Sequence, residues 1–150
     1  MQITLLGQRT EMKKTEILAY AAGIVDGEGC ITILNKWDSR SKTYDKVQVD
    51  ITNTNEWICQ WFKMQFGGTV RMCKAHKSNW KPTFKWILEA DKATAFLKIV
   101  LPYLNIKKAN AEIAISYQVT RRIGGHYSQD EKILLEADRV RMKQLNKKGV

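Results

Sequence analysis

From Trp57 to Leu88 the chain has no acidic residue, while the same stretch holds Lys63, Arg71, Lys74, Lys77, Lys81 and Lys85. A patch of one sign is the footprint expected for a polyanion partner, although a solvated basic surface would read the same way. Cysteine is sparse: Cys30, Cys59 and Cys73 are odd in number and lack metal-type spacing. They are expected as reduced, buried or half-buried thiols of an intracellular protein. No apolar run is long enough to span a bilayer, and no signal-peptide pattern opens the chain. The expected location is therefore intracellular, in the cytoplasm or an organelle, and not secreted. No low-complexity segment or linker divides the sequence.

What is present fits one globular unit. A chain of 150 residues with 44% hydrophobic content is long and apolar enough to bury its own core. The net charge of +10 is uneven. The first 75 residues carry 10 Lys and Arg against 8 Asp and Glu, and the last 75 carry 15 against 7. The expected organisation is a single domain over 1–150, with an N-terminal arm at 1–14, a core at 15–121 and a C-terminal helical extension at 122–150.

Periodicity orders the elements. Thr15 is the expected cap of a helix ending near Val25 or Asp26. Cys30 to Trp37 reads as a strand, and Lys46 to Asn53 alternates strictly, with Val47, Val49 and Ile51 on one face. Asn53-Thr54-Asn55 offers caps for a helix carrying Trp57, Ile58, Trp61 and Phe62, which Gly67-Gly68 ends. Thr69–Lys74 and Thr83–Glu89 form a second hairpin. Asp91 is the expected cap of a third helix ended by Pro102. Helices follow at Ile106–Arg121 and Ile133–Leu145, with a capping box at Ser128 and Glu131. This order predicts an α+β fold with an antiparallel sheet, in which two helix-hairpin passages form a loose structural repeat.

Two constellations carry chemistry. One sheet face must pack on helices, and the other is what a ligand meets. On that outer face the alternation places Thr32, Leu34 and Lys36, then Lys46, Gln48 and Asp50. Thr69, Arg71 and Cys73 follow, then Lys85 and Ile87. Lys, Arg, Gln and Asp read base edges, and Lys and Arg also neutralise phosphates, so this face is a candidate DNA surface. Arg40 and Lys42 in the first hairpin turn, and Lys74, Lys77 and Lys81 in the second, extend it. Of the tryptophans, Trp57, Trp61 and Trp86 are expected in the core. Trp37 and Trp80 lie beside hairpin loops and are expected to touch a partner. His76 and His126 are expected at the surface. The second constellation is Asp26 and Glu28 at the end of the first helix. Two acids beside glycine suit a hard cation, although a turn or capping role explains Asp26 equally well.

The segment Ala21-Ala22-Gly23-Ile24-Val25-Asp26-Gly27-Glu28-Gly29 resembles the signature of the LAGLIDADG homing endonucleases, with Ala21 for the leading leucine and Glu28 for the second aspartate. Pro102-Tyr103-Leu104-Asn105-Ile106-Lys107-Lys108 is similar to the family segment that carries a lysine after the third helix. The resemblance covers about residues 15–120 and implies an αββαββα fold with extra C-terminal helices. It implies a homodimer with one signature per chain that cuts a long, pseudo-palindromic duplex target, leaving a staggered break and promoting intron or intein mobility. The implied cofactor is Mg²⁺, with Mn²⁺ or Ca²⁺ able to substitute in binding. The implied metal ligands are Glu28 and the Gly27 carbonyl. Lys107, with Lys108 as runner-up, and Asn53 complete the implied catalytic set. Ala19, Ala22 and Gly23 are the implied dimer seam. Asp50 is expected to accept from a cytosine amino group. Two rivals share the scaffold: an RNA maturase assisting intron splicing, and a DNA-binding module that has lost cleavage.

Overall fold

The computed structural model describes residues 12–36, 44–121 and 127–147. The elements run α1 (Lys14–Glu28), β1 (Gly29–Lys36), β2 (Tyr44–Asn53), α2 (Glu56–Phe66), β3 (Thr69–Cys73), β4 (Thr83–Glu89), α3 (Ala90–Val100), a 3₁₀ turn (Leu101–Tyr103), α4 (Lys108–Thr120) and α5 (Gln129–Leu145). The fold is α+β, with four antiparallel strands in the order β1-β2-β4-β3. Two hairpins thus abut through their second strands, each preceded by a helix. Most of the expected 1–14 arm, with Trp37, Arg40, Lys42 and His126, lies outside the described residues.

Strict alternation in β2 does what it predicts. Val47, Val49 and Ile51 are wholly buried against the helices, with Ile31, Trp86 and Leu88 beside them. An aromatic cluster fills the middle of this layer: Phe62 lies 4.7 Å from Trp86, and Phe66 lies 4.8 Å from Phe96. Ring pairs of this kind are worth about 0.5–1.5 kcal/mol beyond their buried area. The Trp86 indole donates to Gly67 O at 2.7 Å, tying the sheet to the end of α2. Gly68 is irreplaceable there. Its φ is +91°, and a Cβ would lie 2.5 Å from Ile87 O.

Several local expectations are corrected. Thr15 lies inside α1; the cap is Lys13, whose amide donates to the Glu16 carboxylate at 3.1 Å. The helix runs on to Glu28, because nothing in Gly27-Glu28 breaks it before the strand begins. Asp91 does not cap α3; Glu89 holds that place, and Asp91 instead accepts from Gln118 of α4 at 2.9 Å. Ala90 enters α3 with φ +54°, unusual for a residue with a side chain. Trp57 is 48% exposed, stacked on the outside of Trp61. One more residue of rotation would have taken it inside; Ile58 holds that inner position.

The C-terminal helix packs on α4 and sends Leu135 and Met142 into the same core. Its Ser128–Glu131 box is present in both directions, at 3.2 and 3.1 Å. Asn146, its C-cap, accepts from buried Asn110 at 3.0 Å and donates to Ile31 O at 2.8 Å. Ile31 belongs to β1, an outermost strand.

Candidate active site and sheet surface

The end of α1 gathers the predicted residues. Asn53 closes β2, and its Nδ2 donates to Glu28 Oε2 at 2.6 Å. Its own Oδ1 accepts from the Asn55 amide at 2.8 Å, so the side chain is held at both ends. Glu28 is exposed at the helix C-terminus, where the last carbonyls lack helical partners and the dipole favours a cation. Gly29 allows the chain to leave the helix tightly. A Cβ there would sit 2.8 Å from both Cα and O of Val25.

Asp26 works differently from Glu28. Two residues apart on a helix is about 200° of rotation, so the two carboxylates diverge. Asp26 Oδ2 accepts from the Asn105 amide and Oδ1 from the Lys107 amide, each at 2.9 Å. The Lys107 ammonium then donates to Asp26 O at 2.9 Å. One residue therefore holds the lysine segment by its side chain and the lysine tip by its backbone. Lys107 is the N-cap residue of α4, and Lys108 is exposed beside it.

Oxygen donors of this sort suit a hard cation such as Mg²⁺, which needs only one or two protein carboxylates. Among the described residues no three His, Cys, Asp or Glu side chains form a metal cluster. A single chain offers Glu28 and the carbonyls of the last helical turn, Gly27 among them.

The strand register sets the outer face. Thr32 lies opposite Gln48, which lies opposite Glu89; Cys30, Asp50, Ile87 and Thr69 form the next row; Thr52, Lys85 and Arg71 follow. Leu34 pairs with Lys46, Lys36 with Tyr44, and Cys73 with Thr83. The Lys36 side chain lies outside what the structure describes, while Thr32, Leu34, Lys46, Gln48, Asp50, Thr69, Arg71, Cys73, Lys85 and Ile87 thus share one face. Glu89 and Thr52 also belong to it and were missed, though Glu89 follows the period of Lys85 and Ile87 and stands one residue beyond the acid-free stretch.

The centre of this face is not the open polar surface expected. Lys46, Gln48 and Asp50 are each only 8% exposed. Lys46 pairs with Glu89, Gln48 Nε2 donates to Asp50 Oδ2 at 2.9 Å, and Asp50 Oδ1 lies 3.7 Å from the Lys85 ammonium. These contacts fold the side chains down along the sheet. Asp50, expected as an open acceptor for a cytosine amino group, is instead nearly buried, and each of its oxygens already meets a neighbour on the sheet, Gln48 or Lys85. Burial, and after it Asp50, pushes the Cys30 thiol above its ordinary range, with Lys107 and Lys85 pulling the other way. At the second hairpin Arg71, Lys74, His76, Lys77, Lys81 and Trp80 are exposed, and no ion pair joins these cations to an acid among the described residues. The Lys77 ammonium lies 5.2 Å from the Trp80 ring.

On the outer side of α1, Ala19 and Gly23 are exposed, and a Cβ on Gly23 or Gly27 would meet nothing within 4 Å. Ala22 is wholly buried in the chain's own core. It therefore faces inward, about 100° round the helix from Gly23, and not toward the outer side where the seam is expected.

No family model and no curated protein sequence matches the chain. Solved structures do match it. The homing endonuclease I-CvuI, in complex with its target in the presence of calcium, gives a TM-score of 0.72 at 21% identity, covering 89% of this chain and 83% of that one. The archaeal intron-encoded homing endonuclease I-Vdi141I, complexed with DNA, gives 0.73 at 17% identity over 92% and 89% of the two chains. I-SmaMI, a LAGLIDADG homing endonuclease, gives 0.63 at 16% identity, and its match takes 89% of this chain but 46% of that one. Helix, hairpin, helix, hairpin and helix, with the signature segment ending the first helix, make this the fold of the LAGLIDADG homing endonucleases.

Proposed function

We propose that the chain is a homodimeric, divalent-metal-dependent endonuclease that cuts both strands of a long, pseudo-palindromic DNA target and serves intron or intein mobility. The observation that carries this reading is that the last turn of α1 holds both the Glu28–Asn53 pair and, through Asp26, Lys107, at the end of a polar sheet whose second hairpin is basic. The DNA complexes of I-CvuI and I-Vdi141I support the same substrate class. I-SmaMI, about twice as long, supports a need for two copies of this unit.

In this reading Ala19 and Gly23 let two α1 helices approach closely, bringing both Glu28 side chains to the molecular centre. A twofold axis makes the target pseudo-palindromic. Glu28 and the Gly27 carbonyl would hold Mg²⁺, which when bound supplies Lewis-acid stabilisation of charge on the phosphodiester. Asn53 keeps the Glu28 carboxylate turned outward. Lys107, fixed by Asp26, offers an ammonium to charge developing at the scissile phosphate. The second-hairpin lysines neutralise phosphates.

The test is incubation of the protein with a randomised palindromic duplex library and Mg²⁺, followed by sequencing of cut ends. Discrete staggered breaks are expected, abolished by EDTA. Glu28→Gln should cut at least about a hundredfold more slowly yet bind the selected duplex normally. Cleavage that persists in EDTA would refute the metal role. The exposed Trp80 in its basic loop favours a second reading, an RNA maturase, because an aromatic ring among cations suits an unpaired base. Tighter binding to intron RNA than to any selected duplex, lost in Trp80→Ala, would establish it.

A further inference from the structure

The outer face presents two acids to a polyanion, which lowers affinity for every DNA sequence alike. Each acid is engaged with a lysine: Glu89 with Lys46, and Asp50 with Lys85. The centre of the face is therefore charge-balanced, while the hairpin beside it is not. Asp50 also takes one amide hydrogen of Gln48, which fixes the direction of that side chain. Next to Gln48 in the register, the Thr32 hydroxyl is shielded from solvent and has no hydrogen-bond partner among the described residues.

Resting on the DNA-binding reading above, we propose that Asp50 and Glu89 are specificity-determining residues. They restrain Lys85 and Lys46 from binding phosphate, so that the centre of the sheet reads base edges through Gln48 and Thr32 while the hairpin lysines supply general affinity. A glutamine held in this way can pair with the two major-groove positions of adenine. Specificity then comes from acids that penalise unselected DNA, a repulsive device beside the attractive one.

The test measures binding of a mixed-sequence duplex across a salt series, with the library-selected duplex as comparison. Glu89 is 43% exposed at its side chain, so Glu89→Gln leaves the fold in place; thermal midpoints check this, and Asp50→Asn is the second variant. Each is expected to bind mixed-sequence DNA severalfold more tightly, with the logarithmic salt slope steeper by about 0.9 for each ammonium released. The ratio of selected to mixed-sequence affinity should fall. Lys77→Ala should make the slope shallower by about the same amount, whereas Lys46→Met should leave it unchanged. Unchanged slope and affinity in both acid variants, or a shallower slope in Lys46→Met, would overturn the proposal while leaving the DNA-binding reading intact. Failure of the unmodified protein to bind any duplex would overturn both.

Discussion

At Asp26 a single residue sets the position of a lysine that lies 81 positions away. Its carboxylate takes two backbone amides that would otherwise need water, and such charge-assisted bonds are the stronger kind. Asp26→Asn keeps the shape but supplies only one acceptor oxygen. Urea unfolding should show a loss of about 1–3 kcal/mol. If the chain is the endonuclease proposed above, the cleavage rate should fall with little change in DNA affinity, because the backbone at Asn105 and Lys107 is held less firmly and the ammonium, still bonded to the Asp26 carbonyl, is placed less exactly. Ala90 offers the opposite case. A left-handed φ costs a residue with a side chain about 1–2 kcal/mol, so Ala90→Gly should raise the unfolding free energy by up to about 1 kcal/mol in the same assay. The family resemblance pointed to Glu28 through the signature, to Lys107 through the lysine segment and to Asn53 as the polar residue ending the second strand; the structure pairs Asn53 with Glu28 and Lys107 with Asp26. Sequence reasoning reached only the general role of Asp26 as a turn or capping acid, since partners so distant in the chain have no local signal. The Asp50–Gln48–Lys85 and Lys46–Glu89 contacts were illegible for a related reason: alternation tells which face a side chain takes, not which neighbour across the sheet it meets.

Among the elements, the strands were the most legible and the helix ends the least. A period of two flips every side chain if it slips, so β1 to β4 have little freedom of register. Helix starts are chosen among neighbouring polar residues by tertiary partners. Gln118 draws the Asp91 side chain away from the cap of α3, and Trp57 remains outside because Ile58 and Trp61 already fill the inner stripe. The α5 start was readable because its box is entirely local, and Ser128→Ala should lower stability by about 1 kcal/mol in chemical denaturation. The same helix carries a pH-sensitive group. Burial raises the Asp138 carboxyl above its ordinary range, with Arg141 opposing. A raised value in the folded chain means that the folded state holds the proton more tightly. Stability from this group is therefore full below the ordinary aspartate range and is lost as pH rises through the raised value. Asp138→Asn should unfold at higher denaturant than the parent at neutral pH, with the gap closing in acid.

For the molecule as a whole, the expected dimer seam narrows to Ala19 and Gly23. Because an added side chain at Gly23 meets nothing inside the chain, Gly23→Leu should fold normally yet sediment as a monomer; a normal dimer would refute this seam. The overall order of elements was readable from pattern, whereas the placement of α5 was not, because its tie to the sheet runs through Asn146 and Asn110 rather than through any periodic stripe. That tie has a bearing on solubility. An outermost strand with open carbonyls is a template on which another chain can lay a strand and begin an aggregate. Asn146 occupies one such carbonyl on β1, and α5 packs alongside. A chain shortened to end before Asn146 should therefore lose more than a helix cap: light scattering on gentle warming should detect edge-to-edge association well before the core unfolds.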